Sequence, residues 1–131
     1  MNANLKKKIV EITKALINEN PSYHKHFTFL CRGNTVIAIG INNQNSTHPM
    51  NRLFPYKSDN IHSEMDAYIK VRWLDIDWKK ITLINTRINT KGLFGYSKPC
   101  CGCIGLIKRL GIKQVYYTVD SSPNTVEFLK L

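Results

Sequence analysis

The stretch "NIHSEMDAYIK", Asn60 to Lys70, opens a helical pattern in which Met65, Ala67, Ile69 and then Trp73 recur among polar residues. That periodicity predicts a partly buried helix from Ile61 to Leu74. A helix start is ordinarily capped by Ser, Thr, Asp or Asn. Here His62 stands at the start and Glu64 follows two positions later. Residues at i and i+2 do not share a helix face, so Glu64 is poorly placed to chelate an ion together with His62.

Working outward, the flanking segments alternate between strand and helix patterns. Upstream, "FTFLCRGNTVIAIGIN" holds two β-rich runs about Gly33-Asn34, which reads as an antiparallel hairpin. Before it, Ile9, Ile12, Leu16 and Ile17 mark a helix from Leu5 to Ile17, stopped by Asn20-Pro21. Between hairpin and second helix lies "NNQNSTHPMNRLFPYKSDN", rich in Asn, Ser and Pro and aperiodic, a long loop of the functional kind.

Downstream, "KKITLINTRI" reads as a strand and "NTKGLFGYSK" as a second loop. Cys103, Ile104, Leu106, Ile107 and Leu110 then mark a third helix stopped by Gly111, and "KQVYYTV" is the next strand. The short turn-forming run from Asp120 to Asn124 permits only an antiparallel return by "TVEFLKL", because a parallel return needs a crossover of about a dozen residues. The order α-β-β-α-β-α-β-β predicts an α/β fold: a three-layer α/β/α sandwich on a central five-stranded mixed sheet with a C-terminal antiparallel hairpin.

The 131 residues suit one domain, 1–131, and no run approaches the ~20 apolar residues of a membrane span. Glu11, Thr13 and Lys14 interrupt the N-terminal apolar positions, so no signal-type block is expected and the chain reads as cytoplasmic. Reduced thiols follow, and three of the four cysteines fall within "PCCGC", which points to metal or redox chemistry rather than a disulfide framework. The formal charge of +10 favours phosphate-bearing partners, nucleotide or nucleic acid.

"HSE" and "PCCGC" each open a predicted helix, and two helix N-termini on one sheet can converge. Catalytic zinc takes three protein ligands from imidazole, thiolate or carboxylate donors, a set that His62, Cys100 and Cys103 supply. Helix N-termini favour thiolate over thiol. Glu64 then suits a proton shuttle beside the ion. Cys101 would give a C-x-C register without the usual spacer, and Cys31 reads as a buried strand residue.

His62, Glu64, Pro99, Cys100 and Cys103 match the H-x-E…P-C-x-x-C pattern of zinc deaminases, and the element order agrees. The chain thus resembles the zinc-dependent cytidine/deoxycytidylate deaminase superfamily. The resemblance implies hydrolytic conversion of cytosine to uracil in a free pyrimidine nucleoside or nucleotide such as dCMP, deoxycytidine or cytidine. It also implies Zn2+ as cofactor, Glu64 as the catalytic acid/base, and substrate contacts at Asn42, Ser63 and Ser97. Small members often form homo-oligomers.

"GIN", Gly40 to Asn42, is similar to the superfamily's Gly-x-Asn, whose Asn contacts the sugar; a turn residue ending a strand is the other reading of Asn42. Gln44 stands where free cytidine deaminases carry a ribose-gripping Glu. The "STHP" segment resembles a phage-type insert with Ser46 in place of Lys, and the final hairpin resembles the free-nucleoside branch. His48, Arg52 and Lys57 in one loop, and Arg87, Lys91 and Lys98 around the other, are candidate phosphate holders. Phe54 and Tyr56, or Phe94 and Tyr96, suit either base stacking or loop anchoring. Two further readings stay open: the same chemistry on single-stranded DNA or RNA, and a noncatalytic zinc-stabilised nucleic-acid-binding module.

Overall fold

A computed structural model describes residues 1–44, 47–56, 60–120 and 125–131. Ser46, Lys57 and residues 121–124 of the expected final turn lie outside the described residues. Helix α1 spans Ala3–Ala15 and begins on Asn2, whose Oδ1 accepts the Leu5 N–H at 2.9 Å. It buries Leu5, Ile9 and Thr13, spaced four apart on one face. The helix stops two residues before the expected end. The Leu16 N–H reaches the carbonyls of both Ile12 and Thr13, tightening the chain into a 3₁₀ turn at Ile17–Glu19.

Strands β1 (Lys25–Arg32) and β2 (Thr35–Ile41) pair antiparallel through the two-residue loop Gly33-Asn34. Gly33 takes φ +60°, the positive value that the first loop position of this hairpin class requires. Helix α2 spans Ser63–Val71, β3 Ile81–Ile88, α3 Cys101–Leu110, β4 Gln114–Thr118 and β5 Phe128–Lys130. The sheet order is β2-β1-β3-β4-β5, with β3 and β4 parallel and every other pair antiparallel. The five-stranded mixed sheet, the three helices and the terminal hairpin agree with the sequence reading.

Alternation along the strands sorts the core into two layers. Phe27, Phe29, Cys31, Ile84 and Ile88 pack with Leu5 and Ile9 of α1. Leu30, Leu83, Ile81 and Val115 pack with Ala67 and Val71 of α2 and Ile107 of α3. Helix α2 is three residues shorter than expected at its C-terminal end, and Trp73 is not part of its buried face. It is 82% exposed and lies against the Arg72 guanidinium. An indole of this size is held there by the cation and not by the core.

Two features press the start of α2 onto β2. Gly40 leaves the necessary room: a Cβ there would overlap the Ser63 carbonyl and the Ala67 backbone. Asp66 accepts the Ile41 N–H at 2.9 Å and pairs with Lys70, which also donates to the Ile39 carbonyl. The long loop is likewise less irregular than its composition suggests. It contains a 3₁₀ turn at Pro49–Leu53, and its ends meet in an isolated bridge between Asn43 and Ile61.

Candidate active site

His62 and Cys100 are the N-cap residues of α2 and α3, and neither side chain makes a capping hydrogen bond. Forgoing an ordinary cap costs about 1 kcal/mol per helix. Instead the His62 Nδ1 lies 3.4 Å from the Cys100 Sγ and 3.7 Å from the Cys103 Sγ. The three donor atoms all fall within 4.8 Å of one another. Zinc–sulfur and zinc–nitrogen bonds at a tetrahedral angle would place N and S about 3.6 Å apart, so spacing and donor chemistry both suit such an ion. These three residues could hold a metal ion.

Cys101 and Cys31 lie elsewhere. The Cys101 Sγ donates to the Pro55 carbonyl at 3.2 Å. Cys31 is buried in the α1-side core, where desolvation pushes its thiol up to about 12. The clustered thiols behave differently. A hydrogen bond from Cys103, helped by one from His62, lowers Cys100 to about 4 against the opposing effect of burial. Burial pushes Cys103 well above its ordinary value, and the hydrogen bond to Cys100 raises His62. A cation entering here must therefore displace the proton that burial favours on Cys103.

Tyr56 closes one side of the cluster. Its hydroxyl is 3.0 Å from the Cys103 Sγ, and its ring meets that of His62 edge-on at 4.7 Å. Gly102 makes room for the ring, since a Cβ there would fall 2.5–2.7 Å from three of its carbons. Burial drives the phenol's pKa upward, so it remains a hydrogen-bond donor. The sequence offered base stacking or anchoring for this residue. Its contacts are those of an anchor.

Glu64, in the first turn of α2, is 6% exposed. Its Oε1 accepts from the Ser63 hydroxyl at 3.1 Å and its Oε2 from the Asn85 amide at 3.0 Å. Glu64, His62 and Cys100 share a cavity of about 320 Å³ with His24, His26, Asn42, Arg87 and Lys98. That is the lower end of the range for small-molecule sites. Burial, then the charges of Arg87 and His62, lower His26 to about 4, so its imidazole is neutral near pH 7.

The expected substrate contacts are placed unequally. Asn42 lines the cavity, but its Oδ1 accepts from Asn20 at 2.9 Å and from the His26 N–H at 3.0 Å, and its Nδ2 donates to the His24 carbonyl at 2.8 Å. Ser63 is committed to Glu64 and to Thr28, 2.8 Å away. The Ser97 hydroxyl serves the Asn85 carbonyl at 3.0 Å and accepts the Thr118 N–H at 2.8 Å.

The candidate phosphate holders separate. Arg87 and Lys98 line the cavity, whereas His48 and Arg52 line another depression with Phe54. The Arg87 guanidinium is 3.1 Å from the His24 Nδ1, and its buried Nε has no hydrogen-bond partner among the described residues. Phe94 is buried in the α1-side core, while Tyr96 is 49% exposed.

Sequence reasoning missed Thr28, Asn85, His24 and His26. For Thr28 and Asn85 a signal existed: each occupies an inward strand position where alternation calls for an apolar residue. His24 and His26 sit before and within β1 and carried no comparable mark.

No family model matches the chain, and no curated protein matches it. Solved structures do. The dCMP deaminase of the cyanophage S-TIM5, in apo form, aligns over 93% of this chain and 88% of its own with a TM-score of 0.62 at 16% identity. Its complex with dCMP and dUMP aligns over 89% and 82%, with a TM-score of 0.60 at 16% identity. A cytidine deaminase from Burkholderia pseudomallei aligns over 99% and 93%, with a TM-score of 0.63 at 15% identity. With this layering and strand order, the chain has the fold of the cytidine and deoxycytidylate deaminases.

Proposed function

We propose that this protein is a zinc-dependent hydrolase that deaminates cytosine to uracil in a free pyrimidine nucleoside or nucleotide, with His62, Cys100 and Cys103 as the metal ligands. The observation that carries the reading is the placement of Glu64. A nearly buried carboxylate enters the same small cavity as His62 and Cys100, two of the three candidate metal ligands, from the helix whose N-cap residue is His62. A structural zinc module has no use for that carboxylate. Zinc supplies Lewis acidity, which brings the pKa of water toward about 7.

The chain's own residues supply the rest. Glu64 takes the proton of the attacking water on a carboxylate oxygen, delivers it to the ring nitrogen as the C4–O bond forms, and carries a proton to the amine as the C4–N bond breaks. Water is consumed and ammonia released. Such acid/base work contributes typically ~10²- to 10⁴-fold. Neutral His26 and the bound-up Asn42 amide form part of the cavity wall without adding charge.

Arg87 and Lys98 favour a monophosphate over a nucleoside. Neither makes an ion pair with a carboxylate among the described residues, and both face the cavity. A phosphate would engage the fork of Arg87 with charge-assisted hydrogen bonds. A second reading, deamination within single-stranded nucleic acid, is favoured by Tyr23 and Tyr96, 69% and 49% exposed beside the cavity residues His24 and Arg87. Exposed rings of this kind can stack flanking bases.

The deciding experiment measures uracil formation by the zinc-loaded protein from cytidine, deoxycytidine, dCMP and single-stranded DNA and RNA, with Glu64→Ala as the blank. Turnover of dCMP is expected to lead, and Arg87→Ala should raise KM for dCMP at least about tenfold while leaving that for deoxycytidine unchanged. Product from no free pyrimidine would sink the reading, and product from polynucleotide alone would install the second one. Zinc content should fall from about one per chain to near zero in Cys100→Ala and stay near one in Glu64→Ala.

A further inference from the structure

Thr28 and Asn85 face each other directly across the β1–β3 pairing. They lie on the α2/α3 side of the sheet, where the neighbouring inward positions, Leu30 and Leu83, belong to the apolar core. Thr28 is 0% and Asn85 3% exposed. Polar groups buried this deeply are costly unless every donor and acceptor is matched. The Asn85 Oδ1 accepts from the Thr28 hydroxyl at 2.6 Å. Its Nδ2 donates to the Glu64 Oε2 at 3.0 Å and to the Ser97 carbonyl at 3.1 Å.

We infer that Asn85 is a positioning residue, whose amide, oriented by Thr28, holds the Glu64 carboxylate in a single direction within the cavity. The inference rests on the proposed role of Glu64 as proton carrier. The amide has no freedom to flip. The Glu64 carboxylate and the Ser97 carbonyl are acceptors, so only the NH₂ end of Asn85 can face them. The Thr28 hydroxyl meets the remaining oxygen as a donor. Thr28 thus fixes which end of Asn85 looks at the carboxylate.

Ser63 holds the other carboxylate oxygen. Its hydroxyl donates to the Glu64 Oε1 at 3.1 Å and lies 2.8 Å from the Thr28 oxygen. The two carboxylate oxygens are therefore gripped separately, one from β3 and one from α2. A glutamate gripped once can still swing about its terminal torsion, which is broad. Gripped at both oxygens it cannot. The second Asn85 N–H ends on Ser97, three residues before Cys100, so one amide spans the carboxylate and the cysteine-bearing segment.

The test uses the full chain loaded with zinc, the best substrate of the panel, and four variants: Asn85→Leu, Asn85→Asp, Thr28→Val and Thr28→Ser. Misplacement by about 1 Å can cost ~10²-fold, so Asn85→Leu should lower kcat about 100-fold with KM within about threefold and zinc retained. Asn85→Asp keeps the shape but turns an acceptor toward Glu64, and should be at least as damaging. Thr28→Val should lower kcat about tenfold. Thr28→Ser, which keeps the hydroxyl, should restore it.

Crystal structures of Asn85→Leu and Thr28→Val should show the Glu64 carboxylate turned away or in several orientations, with His62, Cys100 and Cys103 unmoved. A purely stabilising role would leave kcat per zinc-loaded molecule within about twofold of wild type and the carboxylate in place, and would overturn the inference. Should Asn85→Leu fail to fold, Thr28→Val decides by the same two readouts. If the wild type turns over no pyrimidine, the functional reading falls while the carboxylate's orientation in these crystals still decides the positioning claim.

Discussion

On the α1 side of the sheet, the buried polar pair Thr13 and Thr86 closes on itself: the hydroxyls are 3.0 Å apart, and Thr13 donates to the Ile9 carbonyl one turn back. One residue before Thr86 on the same strand, Asn85 faces the opposite layer and opens a chain of bonds that runs through Glu64 to a solvent-connected cavity. Both faces bury polar groups and both satisfy them. One does so with a helix backbone, the other with a carboxylate that has chemistry available to it. Burial of a polar residue is therefore not itself a functional sign; where its hydrogen bonds lead is.

The contrast can be broken most sharply at the two polar clusters. Glu64→Gln should reduce turnover by ~10²- to 10⁴-fold while zinc stays bound, whereas Thr86→Val should leave turnover per folded molecule unchanged. Steady-state kinetics normalised to zinc content check both. A comparable loss in Thr86→Val would erase the distinction between the faces. The next effect is on stability. Ile9, fully buried against the sheet, should cost about 2–5 kcal/mol when cut to Ala, read from denaturant midpoints, with kcat of the folded fraction preserved.

Gly40→Ala tests the other layer. The added methyl must push α2 off β2, so a loss of about 1–3 kcal/mol is expected, accompanied by weaker zinc retention because His62 rides on that helix. Retained zinc affinity at reduced stability would separate the helix position from the metal site. Zinc binding should itself weaken at least about tenfold per pH unit as the solution is acidified, because protons on Cys103 and His62 compete with the ion. A competition titration with a chelator at several pH values measures this.

The smallest effect belongs to His26. Its imidazole accepts a proton near the ordinary 6.5 in the unfolded chain but only near about 4 in the folded one. Between those values the unfolded state binds more protons, so this group's contribution falls as pH drops from about 6.5 toward about 4 and is constant above. His26→Gln should flatten that part of the stability profile. An unchanged slope would show that the cavity does not hold His26 neutral.

Much of this was readable along the chain. The strand-type run "KKITLINTRI", the helical spacing of Leu106, Ile107 and Leu110, and the Gly111 stop are local properties, each fixed by a few consecutive residues. Gly111 does take φ +85° at the C-cap of α3. The H-x-E and P-C-x-x-C pairs were legible for the same reason: each lies on one helix start, where spacing translates directly into direction. Trp73 misled because its apolar ring fits a helical period, while burial depends on what stands opposite, and the ring meets the Arg72 guanidinium and not the core.

By itself, then, the sequence determined the element order and the residues whose chemistry suits a metal. Only the tertiary structure decided their partners. The Asn42 amide is spent on β1 and the turn before it, Arg87 lies beside His24 while Arg52 lies elsewhere, and Thr28 meets Ser63 and Asn85 across separations of 35 and 57 residues. Periodicity is written in neighbouring residues. A hydrogen bond between distant strands depends on register, and register is set only when the whole sheet closes.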